Sequence, residues 1–315
     1  MSGGLRLALA AEESAGVQVL QRLQKSGADV ALVLASKKRS GQMGGSVWDA
    51  AAKAGLETLS PRKLKRAEFA DELSRRGIDL LLTVRCPYIV DGAVLAAPRL
   101  GAFNLHTGPL PSHAGRNVVS WAIFEGRAEH GITVHRTVEA VDAGPIAYER
   151  RFPIDPDDGA LDVLRRSIRE GVKAVLELVE QAAIDPAGIP VREQDLGARR
   201  VYGREAPGAL NDPLACDARE LRDLIRACRF FPFPSPWGTP VLGAGEESVG
   251  LLGVGPPVEA GPADAAPGTL SAAGAADADG VLLAARSGWV ELTEVEWRGE
   301  RTAAREALAG VAQLA

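Results

Sequence analysis

Asn104 and His106 lie two positions apart, and Asp142 follows in the segment Val141-Asp142-Ala143-Gly144. A carboxamide, an imidazole and a carboxylate are the groups needed to move an acyl group from one nitrogen to another. The amide N–H can meet the charge that develops on the acyl oxygen, and one such donor is worth about 2.7–4 kcal/mol in a transition state. The imidazole, or a water held by the carboxylate, can carry the proton lost by the attacking amine, for about 10²–10⁴-fold. A protonated His106 would add a second donor, and Asp142 beside it is expected to favour that imidazolium form.

Each residue taken singly has a plainer use. Asn-x-His at a strand end commonly caps a turn, and Asp in Val-Asp-Ala-Gly is commonly a turn residue. Among the other histidines, His113 reads as solvated in a polar loop, His130 as a turn residue and His135 as surface or packing. No HExxH or clustered Cys/His pattern is present, so no metal site is expected. Cys86 follows a strand without a basic helix terminus to activate it, which argues against a thiol nucleophile. The sequence has no Gly-x-Ser-x-Gly, Walker or Gly-x-Gly-x-x-Gly motif, against esterase, nucleotide phosphatase and dinucleotide readings.

The elements that must position these groups follow from periodicity. Leu5–Ala10, Asp29–Ala35, Ile78–Val84 and Ala102–His106 read as strands, and Ser14–Lys25 and Lys65–Arg76 as helices closed by Gly27 and Gly77. Asn104 and His106 then project from one face at the carboxyl end of a strand, where open parallel sheets bind ligands. Pro109 and Pro111 restrict the next loop, while Gly101, Gly108 and Gly115 allow tight turns. Asn117–Glu125 is a short helix, and Ile132–Val138 and Ile146–Ile154 are strands. Leu161, Leu164, Ile168, Val172, Val175 and Val179 form the stripe of a long amphipathic helix that Asp157 or Asp158 can cap. Gly144 is expected to let the Asp142 loop close over the site. This alternation predicts an α/β, Rossmann-like, mostly parallel sheet with helices on both faces. Residues 1–183 form that catalytic domain and 184–208, rich in Pro and Gly, read as a linker. Residues 209–315 combine a helix at Asp217–Cys228, an aromatic corner at Phe230–Trp237 and short strands at Thr239–Leu242, Val249–Val254, Val281–Ala285 and Trp289–Trp297. These suggest a small β-barrel or sandwich.

A chain of 315 residues is long enough for two domains, and a net charge of −5 gives no global attraction for nucleic acid. No apolar run is long enough to span a bilayer, and Met1-Ser2-Gly3-Gly4 leads into a strand rather than a signal peptide. Three cysteines without CxxC spacing fit a reducing, cytoplasmic setting.

In combination these residues resemble the methionyl-tRNA formyltransferase-like family of 10-formyltetrahydrofolate-dependent N-formyltransferases. Leu100-Gly101-Ala102-Phe103-Asn104-Leu105-His106 is similar to that family's strand and catalytic Asn-x-His. Gly108-Pro109-Leu110-Pro111 stands in place of its Ser-Leu-Leu-Pro, and Gly131-Ile132-Thr133-Val134 with Val141-Asp142-Ala143-Gly144 resemble its later strand and Asp loop. Val201-Tyr202-Gly203-Arg204, Leu221–Arg229, Phe230–Trp237 and Pro267-Gly268-Thr269 resemble its C-terminal region. The resemblance implies a C-terminal OB-like barrel, 10-formyltetrahydrofolate as donor without a metal, and Asn104, His106 and Asp142 as catalytic residues. It also implies that the pterin packs near Arg85, Cys86, Pro87, Tyr88, Ile89, Glu139, Ala140, Val141 and Ala143, with Gly108, Pro109, Leu110 and Pro111 alongside.

Departures from the family concern the acceptor. Its N-terminal Gly-Thr-Pro pattern is replaced by Ala10-Ala11-Glu12-Glu13-Ser14, and its Asp-Thr-Gly-Asp by Asp142-Ala143-Gly144-Pro145. Its basic loop is represented only by Lys37-Lys38-Arg39 and the Gly-rich Ser40–Gly45. These changes favour an enzyme acting on a small amine or hydroxylamine, such as an amino sugar or a modified ornithine; a monomer without a membrane partner is the default expectation. The alternative acceptor is initiator tRNA, with Lys37, Lys38, Arg39, Arg199, Arg200 and Arg204 contacting phosphates. A formyltetrahydrofolate hydrolase or a non-catalytic folate binder is the further alternative.

Overall fold

A computed structural model describes residues 4–37, 45–258, 265–272, 275 and 279–315. In chain order its elements begin with β1 (Arg6–Ala11), α1 (Glu13–Lys25), β2 (Asp29–Leu34), α2 (Val47–Lys53), β3 (Thr58–Leu59), α3 (Phe69–Arg75), β4 (Leu80–Val84), α4 (Gly92–Ala96) and β5 (Ala102–His106). There follow β6 (Ala114–Gly115), α5 (Val118–Phe124), β7 (Glu129–Arg136), β8 (Ile146–Pro153), α6 (Ala160–Ile184), β9 (Val201–Tyr202) and α7 (Ala218–Cys228). The chain ends with β10 (Val241–Ala244), β11 (Glu247–Val258), β12 (Leu270–Ser271), β13 (Val281–Ala284), β14 (Trp289–Trp297), β15 (Glu300–Ala303) and α8 (Ala304–Ala307). Two compact units result. One holds Met1–Arg116, Gly131–Phe152 and Arg165–Tyr202, the other Asn117–His130, Pro153–Leu164 and Gly203–Ala315.

The first unit is built on a seven-stranded sheet of order β3-β2-β1-β4-β5-β7-β8. From β3 to β5 every pairing is parallel, and β7 runs antiparallel to β5. Alternation along the strands divides the core. Ala8, Ala10, Leu32, Leu34, Leu81 and Ala102 pack with Leu64, Phe69, Leu73 and Val94 from the α3 and α4 side. α1 covers the opposite face, where Gly16 lies so close to Ala11 that a Cβ would stand 2.7 Å from its methyl group. Helices therefore lie on both faces, as the βαβ pattern requires.

The start of α3 differs from expectation. Ser60 caps and Pro61 opens a separate 3-10 turn, Pro61–Lys65, so the regular helix starts only at Phe69. Periodicity gives no sign of α2. It is short, and Ser46 caps it by accepting the Asp49 N–H at 3.1 Å. The segment expected to be an irregular linker contains β9, which pairs in parallel with β6.

In the second unit a curled antiparallel sheet, β10-β11-β14-β13-β12 with β15 on β14, forms an OB-like half-barrel. Register shifts along β11 between Leu251 and Val254 bend it, as bulges do. Leu221 and Ile225 of α7 enter the core formed by Val249, Leu251, Leu292 and Val295. Among the described residues no helix is long and apolar enough to cross a membrane.

α7 begins with a reciprocal cap: Asp217 Oδ1 accepts the Glu220 N–H at 2.8 Å, and Glu220 Oε2 accepts the Asp217 N–H at 3.0 Å. Asp217→Ala is expected to lower stability by about 1 kcal/mol. Urea titration by tryptophan fluorescence checks this in the right place, because Trp121, Trp237, Trp289 and Trp297 all lie in the second unit.

Candidate active site

Parallel pairing places the ends of β1, β4 and β5 side by side, with Thr83 opposite Asn104. The antiparallel β7 then places His135 opposite Asn104 and Thr133 opposite His106. Residues opposite one another share a face, so Thr83, Asn104 and His135 form a polar row across three strands. The Thr83 hydroxyl donates to Asn104 Oδ1 at 2.9 Å, which turns the Asn104 amide nitrogen toward His135 Nε2, 3.2 Å away. His135 Nδ1 donates to the Arg136 carbonyl at 2.9 Å.

Asp142 reaches this row from the loop after β7. Its Oδ1 lies 3.3 Å from His135 Nε2 and its Oδ2 3.6 Å from His106 Nδ1. Oδ2 also accepts the Gly115 N–H at 2.8 Å. The three side chains distant in sequence thus converge, and a fourth, His135, joins them. His135 is 1% exposed, neither surface nor plain packing. Its signal was present in its alternation on a strand next to Asn-x-His, but only the register of β7 makes it a neighbour. His113 and His130, expected in solvent and in a turn, are both buried, the latter within β7.

The electrostatics reverse one expectation. Burial works against charge on Asp142, yet the positive charge that His106 and His135 carry when protonated, together with the Gly115 N–H, outweighs it and holds the carboxyl well below the usual range. Burial is also the largest influence on His106, and it wins: despite Asp142, the imidazole is pushed below its ordinary value rather than toward the imidazolium. His106 Nε2 donates to the His113 carbonyl at 2.6 Å. In the neutral ring the proton is therefore on Nε2, and Nδ1 faces Asp142 with a free lone pair.

The surrounding segments divide into buried and open parts. Gly108, Pro109 and Leu110 are buried, with Pro111 half-buried. Thr133 holds this loop by donating to the Gly108 carbonyl at 2.9 Å and accepting the Leu110 N–H at 3.1 Å. Arg85 pairs with Glu13 at 2.9 Å, the acid that stands in the altered N-terminal motif. The Cys86 thiol is pushed up to about 11 by burial, so it is not a thiolate. Tyr88 accepts from Arg62 at 3.4 Å. Pro87, Ile89, Glu139, Ala140 and Val141 are exposed, and Ala143 is half-buried. Glu139 lies against Gly92, which brings the loops after β4 and β7 together. Gly144 does not act as a hinge: a Cβ there would stand 1.9 Å from the Arg136 carbonyl oxygen, so it is a close-packing position.

Of the basic residues expected to meet phosphates, Lys37 lies over Trp48, Arg199 bonds the Val141 carbonyl and Arg200 stacks over Tyr202. Arg204 is exposed. Lys38, Arg39 and residues 40–44 lie outside the described residues.

Asn104, His106 and Asp142 thus lie together at the carboxyl edge of a mostly parallel, Rossmann-like sheet. Residues 6–179 match the formyl transferase family, and the chain belongs to it as an enzyme of formyl transfer. It is 29% identical over 261 residues to a methionyl-tRNA formyltransferase of Sorangium cellulosum (strain So ce56), covering 81% of this chain and 79% of that protein. Its fold is similar to that of an N-formyltransferase from Helicobacter canadensis solved with folinic acid and dTDP-3-aminofucose. That match has a TM-score of 0.65 and 17% identity, over 91% of this chain and 98% of the other. It is also similar to HypX from Aquifex aeolicus solved with tetrahydrofolic acid, with a TM-score of 0.63 and 17% identity. There 98% of this chain covers 47% of the other.

Buried neutral His106 has a consequence for stability. Below its ordinary value of 6.5 the unfolded imidazole binds a proton that the folded one resists, so stability falls as pH drops through that window. Asp142 adds a further loss below its ordinary 3.8, where the unfolded carboxyl protonates first. Urea midpoints between about pH 5 and 8 are expected to slope less in His106→Gln than in the wild type. Equal slopes would assign the titration to another group.

Proposed function

We propose that the protein transfers a formyl group from 10-formyltetrahydrofolate to the nitrogen of a small amine or hydroxylamine, an amino sugar or a modified amino acid. The observation that carries this reading is the meeting of Asn104, His106 and Asp142, with His106 neutral and its Nδ1 free.

The chemistry follows from those atoms. The acceptor nitrogen attacks the formyl carbon, and the carbonyl electron pair moves onto oxygen. Asn104 has one amide N–H directed at His135 and a second that meets this oxygen. His106 Nδ1 takes the proton from the attacking nitrogen, and Asp142 stabilises the imidazolium that results. The tetrahedral carbon then releases the folate nitrogen as that bond breaks, and His106 returns the proton to it. Products are the formamide and tetrahydrofolate. Thr83 acts earlier, by choosing which end of the Asn104 amide faces the substrate.

For the donor, the exposed apolar side chains of Ile89 and Val141 suit the face of a flat ring, at 68% and 46% exposure. Arg85, Cys86, Pro87, Tyr88, Glu139, Ala140 and Ala143 complete that wall, and the buried Gly108–Pro111 loop fixes its floor. The small acceptor is favoured over initiator tRNA because Arg199 and Arg200 are engaged within the protein and the basic loop of the family is reduced.

Asn104→Ala is expected to lower kcat by about 10²–10³-fold. His106→Ala and Asp142→Ala should abolish transfer, all three with unchanged circular dichroism. Release of tetrahydrofolate with a panel of amines, including charged initiator tRNA, is the measurement. Full activity in the Asn104 and His106 variants would overturn the mechanism, and preference for the tRNA would overturn the acceptor. The acid limb of the kcat profile is expected below pH 6.5, since His106 must be neutral to act as base.

A further inference from the structure

The segment between α6 and β9 carries no group that touches the reacting atoms, yet it supports the loop that holds Asp142. Ile146 and Arg192 exchange both backbone hydrogen bonds, at 2.8 and 2.9 Å, as an antiparallel bridge. Two residues further on, that register places Gln194 beside Gly144. Its Nε2 donates to the Asp142 carbonyl at 3.0 Å and to the Gly144 carbonyl at 2.6 Å. Arg199 Nη2 donates to the carbonyl of Val141 in the same turn. Three carbonyls of one short loop are thus satisfied by two side chains from a segment some fifty residues away.

The loop needs such support. Asp142 has φ +53°, a left-handed conformation that Asp tolerates better than most residues but less well than glycine. Gly144 is pressed against the Arg136 carbonyl, with no room for a Cβ. The loop therefore lies between β7 on one side and Gln194 on the other. Among the described residues Gln194 Oε1 is buried without a hydrogen-bond partner, so the two bonds from Nε2 decide the orientation of the amide. Turning it over would set an oxygen against two carbonyl oxygens.

We propose that Gln194 is a positioning residue for formyl transfer, holding the Asp142 carboxylate against His106 and His135 by bridging the carbonyls of Asp142 and Gly144, with Arg199 supporting the same turn. This rests on the catalytic reading of Asp142 given above. Asp142 meets His106 Nδ1 at 3.6 Å and the Gly115 N–H at 2.8 Å, so a small shift of the loop loosens both contacts.

Gln194→Glu tests this most directly, because it keeps the shape and removes the donor. An ionised carboxylate would face two carbonyl oxygens, so this variant should be worse than Gln194→Ala. Both are expected to lose about 10–100-fold in kcat, as misplacement of a catalytic group by a fraction of an ångström to an ångström does. KM for 10-formyltetrahydrofolate is expected to rise as well, because Val141 and Ala143 of the donor wall belong to the same loop, so the loss in kcat is read at saturating donor. The Gly115 amide, whose proton is given to Asp142, should exchange with solvent at least about tenfold faster. In Gln194→Glu, lowering the pH until the introduced carboxylate is protonated should restore part of kcat relative to wild type at the same pH.

A wild-type kcat in Gln194→Glu, or unchanged Gly115 exchange, would overturn the proposal. Asp142→Asn run beside it separates the two readings. Loss of activity there with full activity in Gln194→Glu removes only the role of Gln194. Full activity in Asp142→Asn removes the catalytic reading and the positioning role with it.

Discussion

One carboxylate organises this site. Asp142 is taken out of water and given a backbone N–H and two imidazoles that can be protonated toward it. A buried charge with so few partners is stable only when each stands in its proper place. The partners come from β5, β7 and the β6 turn, so the charge ties together segments that no local interaction would join. Removing any one of them leaves the others paired with an incompletely satisfied ion.

The sheet makes that arrangement possible through a single change of direction. Up to β5 the strands run parallel and bring their carboxyl ends to one edge. β7 then enters antiparallel, and its register decides that His135 and Thr133, rather than Val134, stand beside Asn104 and His106. A slip of one residue would turn both side chains to the opposite face. The two rows serve different ends. Thr83, Asn104 and His135 orient an amide, whereas His106 and Thr133 hold an imidazole and the loop next to it.

Burial of His106 changes what the imidazole can do. An exposed His–Asp pair would hold a proton readily; here desolvation opposes that charge, and the carbonyl of His113 occupies the only N–H of the neutral ring. The result is a base ready to accept a proton beside a carboxylate ready to stabilise it. Pairing at close range and burial thus act in opposite directions on the same ring, and both are needed for reversible proton transfer.

Much of this was legible in residue order. The apolar runs that became β1, β2, β4 and β5, the stripe of α6 and the Asp217 start of α7 depend on local periodicity and capping, which act over a few residues. Asn104, His106 and Asp142 stood out by type and spacing. Other features depend on partners far along the chain. His135 looked like an ordinary strand residue, the segment after α6 like a mere linker, and His106 like a group that Asp142 would charge. Strand register, the reach of Gln194 and Arg199, and the exclusion of water are properties of packing between distant segments. The chemical groups were determined by the sequence alone; their neighbours and protonation states were decided by tertiary structure, because desolvation and cross-strand contact exist only once the chain has folded.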